Sequence, residues 1–333
     1  MLFRSKFFSD VVHYVRSGDF VVTMLHDAQD LNEYAFALGA MAHYWADSFG
    51  HPEAVNTVVP LLYPKLQRKF GDRVTYEDDP GAHLKTEFGF DVVEVARGSY
   101  APQSYHDFIG FEVSQPLLER AFEDTYSIPL KDLFKDLDLA LSTYRHTVSR
   151  LIPRMTKVAW AANKNEIQKA HPGITARKFR YNLSRAEYHK EWDSHYEEPG
   201  VGAHILAFFF RIIPKVGPFR ALGFKMPPAQ GERMFMRSFN DTLSRVTSFI
   251  PDGREKLPNR NFDTGEPARQ GVYRMADEAY RKLLDMYADT QLQPSAEMRA
   301  NILAYFEDPS RITDPKALTE LNILKSRAAL PSR

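Results

Sequence analysis

The sequence predicts an all-α protein: a multi-helix bundle with a metal site between its helices and room for a second helical lobe. Apolar residues recur at helical spacing along most of the chain, while strand-like alternation is scarce. The 333 residues include 24 Phe, 16 Tyr and 3 Trp, and 44% are hydrophobic, enough to fill a substantial core. That aromatic load and the balance of 43 basic against 43 acidic residues exclude intrinsic disorder.

Residues 31–49 place Leu31, Tyr34, Ala35, Leu38, Met41, Ala42, Trp45 and Phe49 on one stripe, and Asp30 followed by Glu33 reads as its capped start. From Tyr34 to Ala46 there is no formal charge, the pattern of a helix buried nearly all round. Asp79-Pro80-Gly81 starts another helix, with Asp at the cap and Pro at the first helical position. A long helical region follows over 113–150, interrupted near Pro129. Further helices fit 176–196, 229–249, 271–288, 295–306 and 315–327. Polar stretches at 163–175 and 251–267 break the pattern, and the first suggests a boundary between residues 1–162 and a helical C-terminal region, 163–333, of unassigned role.

Composition narrows the function. A net charge of zero leaves no surplus to neutralise phosphates, which weighs against a nucleic-acid binder. No cysteine is present, so thiolate zinc sites and cysteine nucleophiles are excluded, and a metal must be held by His, Asp and Glu. No apolar run is long enough to span a bilayer, and Met1 to Lys6 lack the features of a signal peptide.

Six of the eleven histidines (His13, His26, His43, His51, His83 and His106) lie in the first third. His43 and Asp47 are one turn apart on one helix face, where a carboxylate needs a partner, a proton or a metal. His51 continues that line if the helix survives Gly50 and Pro52. His83 and Glu87 repeat the one-turn spacing, which suits two ligands of one zinc ion and equally an exposed i,i+4 pair. Facing helices are an ordinary way to bring such residues together around zinc.

His43-Tyr44-Trp45-Ala46-Asp47 and the following Ser48-Phe49-Gly50-His51-Pro52-Glu53-Ala54-Val55-Asn56 resemble the signature of the bacterial zinc-dependent phospholipase C family, H-Y-x-[GT]-D followed by P-x-H-x-x-N. His83-x-x-x-Glu87 is similar to the family's downstream H-x-x-x-E, and His13 sits where an earlier ligand is expected. The resemblance covers roughly residues 5–150. It implies an all-helical fold, two or three Zn2+ ions, hydrolysis of a phosphodiester bond in phospholipids, and an exported protein. The zinc-dependent single-strand nucleases share that fold and metal cluster.

Carried onto this chain, the resemblance implies that His13 and His43 bind one zinc, that Asp47 bridges two, and that His51, His83 and Glu87 hold another. The family's second signature histidine follows the proline. Here that position is Glu53 and His51 precedes Pro52, so His51 is the expected ligand with Glu53 in reserve. The family's first ligands also precede the His13 equivalent by tens of residues, whereas twelve residues stand there here. Asp10, the acidic residue among them, becomes the candidate general base; a shortened start or a reduced site would account for the difference.

Other features are weaker. His26-Asp27 and His106-Asp107 are the dipeptides of another metal-dependent phosphohydrolase class, although such pairs arise readily by chance. Phe208, Phe209 and Phe210 lie in the most apolar stretch, 203–224, which reads either as buried helices or as a peripheral membrane contact. Residues 257–265 form a turn-rich loop in which Arg260 is available to a phosphate. The leading expectation is a zinc-dependent phosphodiesterase acting on a phospholipid. The alternatives are a zinc-dependent nuclease or phosphatase, and a metal-stabilised or membrane-associated helical protein without turnover.

Overall fold

The computed structural model describes residues 2–97, 113–134, 136–146, 223–249, 256–289, 292–312 and 314–327, with short pieces between 160 and 175. The predicted helix at 176–196, the apolar stretch up to residue 222 with Phe208, Phe209 and Phe210, and His106-Asp107 lie outside these residues. What is described is all-α.

Helix α1 (Leu2–Tyr14) turns into α2 (Ser17–Asp27) through Arg16, whose backbone is left-handed. The Arg16 guanidinium holds that turn, reaching Asp19 and the Thr125 carbonyl. Helix α3 spans Leu31–Phe49, and Asp30 caps it by accepting from the Glu33 N–H at 2.9 Å. Its core face is formed by Ala37, Met41, Tyr44, Trp45 and Ser48, whereas Leu31 and Ala35 of the expected stripe are exposed. Alanines and Gly39 exert little pull on the helix's orientation, so the larger Met41, Tyr44 and Trp45 decide which face is buried. Each such side chain contributes about 1.5–3 kcal/mol when fully removed from water.

The helix does survive Gly50 and Pro52, in a widened form. Gly50–Val55 is a π-turn closed by the Asn56 N–H on the His51 carbonyl, and α4 (Asn56–Leu62) continues from it. Pro52 has no N–H to give an α-helical ladder. Single π-turns of this kind are frequent at functional sites. Then come α5 (Pro64–Phe70) and α6 (Pro80–Arg97), the latter capped by Asp79, which accepts from the Ala82 N–H at 2.8 Å. The region expected as one long helix is instead α7 (Gln115–Tyr126), α8 (Leu130–Leu133) and α9 (Leu137–His146). The left-handed Ser127 and the extended Pro129 break it.

The later helices are α10 (Ala229–Thr247), α11 (Arg274–Asp289), α12 (Ala296–Tyr305) and α13 (Pro315–Ser326). One hydrophobic cluster joins both halves of the chain, from Val11, Met24 and Met41 to Leu283, Ile302 and Leu321. Helix α11 packs on α1 and α13, and α10 lies across α3 and the π-turn. A smaller cluster beneath α4 and α6 includes Val58 and Phe90, with Phe90 stacked on Phe235 of α10 at 4.8 Å. No helix among the described residues is long and apolar enough to cross a membrane.

Candidate metal centre

Four elements converge on one cavity of about 490 Å³: α1, the end of α3 with its π-turn, α6, and the loop that precedes α11. Helix α1 brings Asp10 and His13, α3 brings His43 and Asp47, and the π-turn presents His51. Glu87 comes from α6, while Phe262 and Asp263 come from the loop.

Two groups of donor atoms are each gathered within 4.8 Å: His13, His43 and Asp47, and His51, His83 and Glu87. In the first, Asp47 Oδ2 lies 3.1 Å from His43 Nε2 and 3.7 Å from His13 Nε2. His13 Nδ1 donates to the Ser9 carbonyl at 2.6 Å, which leaves Nε2 with its lone pair facing Asp47. In the second, Glu87 Oε1 lies 3.0 Å from His83 Nδ1 and 3.6 Å from His51 Nδ1. The two imidazole rings stack at 5.1 Å. His51 also joins the groups, because its Nε2 is 3.6 Å from Asp47 Oδ1.

The His83 tautomer follows from its neighbours. Asn56 Nδ2 donates to the Asp263 carbonyl, so Asn56 Oδ1 is the acceptor that meets His83 Nε2 at 2.9 Å. The proton is therefore on Nε2, and Nδ1 is a free donor atom. Holding a ligand imidazole by its far nitrogen is how proteins orient histidines toward metal. His83 is fully buried, yet neither His83 Nδ1 nor His51 Nδ1 has a hydrogen-bond partner. Buried nitrogen atoms left unpaired beside a carboxylate are costly for a protein alone and suited to a metal. The donor set, imidazole and carboxylate without sulfur, fits Zn2+.

Electrostatics within the protein agree. Burial opposes ionisation of Asp47, but His43 and His51 outweigh it and hold the carboxyl well below the ordinary range. His51 is pushed up to about 9 by Asp47, against the effect of burial. His43 is raised by its hydrogen bond to Asp47, whereas burial lowers His13. A metal ion bound here would therefore have to displace protons.

The structure brings together His13, His43, Asp47, His51, His83 and Glu87, with Asp10 on the same wall. Asp10 is buried and paired with Lys6 at 2.9 Å. Glu53 faces Asp241 and Arg237 of α10 instead, and the π-turn explains why His51 faces the cavity in its place. His26 is exposed near the end of α2. Arg260 does not line the cavity, since its guanidinium turns back to the Gly265 carbonyl at 3.0 Å. Sequence reasoning missed Asp263, which is buried three residues further along the same loop. A third acidic group, Asp285, Asp289 and Glu320, lies elsewhere, with Asp285 and Glu320 engaged by Arg281 and Lys316.

Residues 1–136 match the family model for zinc-dependent phospholipase C. That span contains both donor groups and Asp10, and it excludes Asp263. No curated protein and no solved structure matches the chain.

Proposed function

We propose that the protein is a zinc-dependent phosphodiesterase of the phospholipase C type, with Zn2+ held by His13, His43 and Asp47 and by His51, His83 and Glu87. The observation that carries this reading is the meeting of both donor groups at one cavity, linked through Asp47 and His51.

When bound, zinc supplies Lewis acidity toward a phosphoryl oxygen and lowers the pKa of water to about 7. Asp47 stays ionised between His43 and His51, so its charge is available to a cation. Asp10 is placed to accept the proton of the attacking water, one helical turn before His13. Lys6 keeps Asp10 oriented and sets a positive charge at the cavity wall, where a phosphate oxygen would arrive. Phe262 and Met275 give the same wall an apolar part suited to the lipid side of a phospholipid. A phospholipid substrate and an exported location agree with the family match, and the neutral charge favours a lipid over a nucleic acid.

The test has two stages. Protein purified without added metal is analysed for zinc and then titrated with it, and fewer than one ion per chain at saturation would defeat the reading. Hydrolysis of a chromogenic phosphodiester is then compared between the native chain and Asp47→Asn. A fall of orders of magnitude is expected, whereas equal and near-zero rates with zinc present would favour a metal-stabilised protein without turnover. Lecithin against single-stranded DNA separates phospholipase from nuclease.

A further inference from the structure

Asp263 reaches the second donor group from the C-terminal half of the chain. Its Oδ2 is fixed, accepting from the Tyr76 N–H at 3.1 Å and from the Tyr273 hydroxyl. Asn261 Oδ1 accepts from the Asp263 N–H at 2.9 Å, forming the turn that carries the carboxylate inward. These bonds leave Oδ1 beside the two stacked imidazoles, 3.5 Å from His83 Nε2 and 3.8 Å from His51 Nδ1. Oδ1 is buried and has no hydrogen bond of its own. A carboxylate oxygen in that position depends on the positive ends of neighbouring dipoles.

The Nε2 side of His83 is the protonated side, because Asn56 Oδ1 accepts there at 2.9 Å. Asp263 therefore meets the N–H end of this imidazole, away from the Nδ1 that faces Glu87 at 3.0 Å. The same residue acts on that end a second time. Its carbonyl accepts from Asn56 Nδ2 at 2.6 Å, which fixes the amide so that Asn56 Oδ1 is presented to His83. A negative oxygen beside the N–H favours this tautomer over the one with the proton on Nδ1, and it makes Nδ1 the more basic donor. Close packing holds the loop in place, since a Cβ at Gly265 would sit 2.9 Å from Pro52 Cγ in the π-turn.

We propose that Asp263 is a positioning residue for His83. Its carbonyl, through Asn56, and its carboxylate, directly, hold the proton on Nε2 and keep Nδ1 free to bind metal. A residue outside the matched span 1–136 thereby sets the state of a donor inside it. The ligand role of His83 rests on the zinc reading above, whereas its tautomer is a property of the metal-free chain.

Nitrogen NMR of the full, metal-free chain, made with isotope-labelled histidine and held at mildly alkaline pH, reads that tautomer. The native chain should carry the His83 proton on Nε2; a proton on Nδ1 would overturn the inference without any variant. Asp263→Asn keeps an oxygen for Tyr76 and Tyr273 and keeps the carbonyl bond to Asn56, but it turns an uncharged NH2 toward His83. The variant should shift His83 toward the Nδ1–H tautomer. In competition with a chromophoric chelator it should hold one zinc ion about 10-fold more weakly and leave the other unchanged. A folded variant with the native tautomer would overturn the inference, whether or not its zinc binding is weaker. A native chain that binds no zinc would instead overturn the proposed function, and the metal-free spectra would still decide the role of Asp263.

Discussion

His83 Nε2 lies 2.9 Å from Asn56 Oδ1, and this contact fixes which imidazole nitrogen is left facing Glu87. Removing such an orienting partner typically weakens metal binding by about 10–100-fold. Asn56→Ala is therefore expected to weaken one zinc ion by that range, read by chelator competition, and to leave the ion at His13, His43 and Asp47 unaffected. Equal affinities would show that His83 is oriented by other means.

Asp10 touches neither donor group at ligand distance, so metal content and turnover should separate at this position. Asp10→Asn is expected to retain the native zinc content while kcat falls about 10²–10⁴-fold, the usual contribution of a positioned general base. Elemental analysis and steady-state kinetics on one preparation check it. A loss of zinc would place Asp10 among the ligands instead.

Gly18 has no room for a side chain. A Cβ there would sit 2.3 Å from the Leu257 carbonyl oxygen and 2.6 Å from that of Pro258, both backbone atoms of the loop carrying Asp263. Gly18→Ala should cost about 1–3 kcal/mol by denaturant unfolding, as overpacking does. It should also push the loop off α2 and weaken zinc binding.

Metal removal should be visible in stability. Free zinc at about 100 times its dissociation constant adds about 2.7 kcal/mol per site when only the folded state binds. Chelation should lower Tm, and zinc, rather than magnesium, should restore it. A Tm indifferent to chelation would exclude a metal centre that contributes to folding.

Asp27 offers a pH test away from the metal. Burial, with the nearby charge of Asp124, raises its pKa above the ordinary value, while Arg120 opposes the shift. It also ends α2, where the helix dipole disfavours a negative charge. With the folded pKa raised, the protonated form is the stable one: the favourable contribution is full below the unfolded pKa and is lost as pH rises through the folded value. Asp27→Asn should therefore stabilise the protein at pH 7 by about 0.5 kcal/mol, a figure kept small by solvent screening. The gain should vanish near pH 3.

Much of the candidate metal centre was legible in the sequence because it is local. His43 with Asp47, and His83 with Glu87, each sit one turn apart on a single helix, and Asp30 and Asp79 mark where those helices begin. Helices α1 and α2 were not read, because apolar residues in adjacent pairs, such as Phe7-Phe8 and Val11-Val12, blur any single stripe and Ser17-Gly18 resembles a break. Asp263 was not legible either. The Asn-Phe-Asp-Thr-Gly run announces a turn, but which distant histidines it faces is decided by tertiary packing. The more conspicuous charge of that loop, Arg260, turns its guanidinium back on the loop itself.

The hydrogen bond from Asn56 to the Asp263 carbonyl joins residues 207 positions apart. During synthesis, a nascent chain that has emerged only as far as α9 already contains every histidine of the candidate centre but lacks the loop that bonds to Asn56. Closing so long a loop is entropically slow, and contacts of this separation form late in folding. The loop that closes the candidate site is thus among the last parts of the fold to assemble.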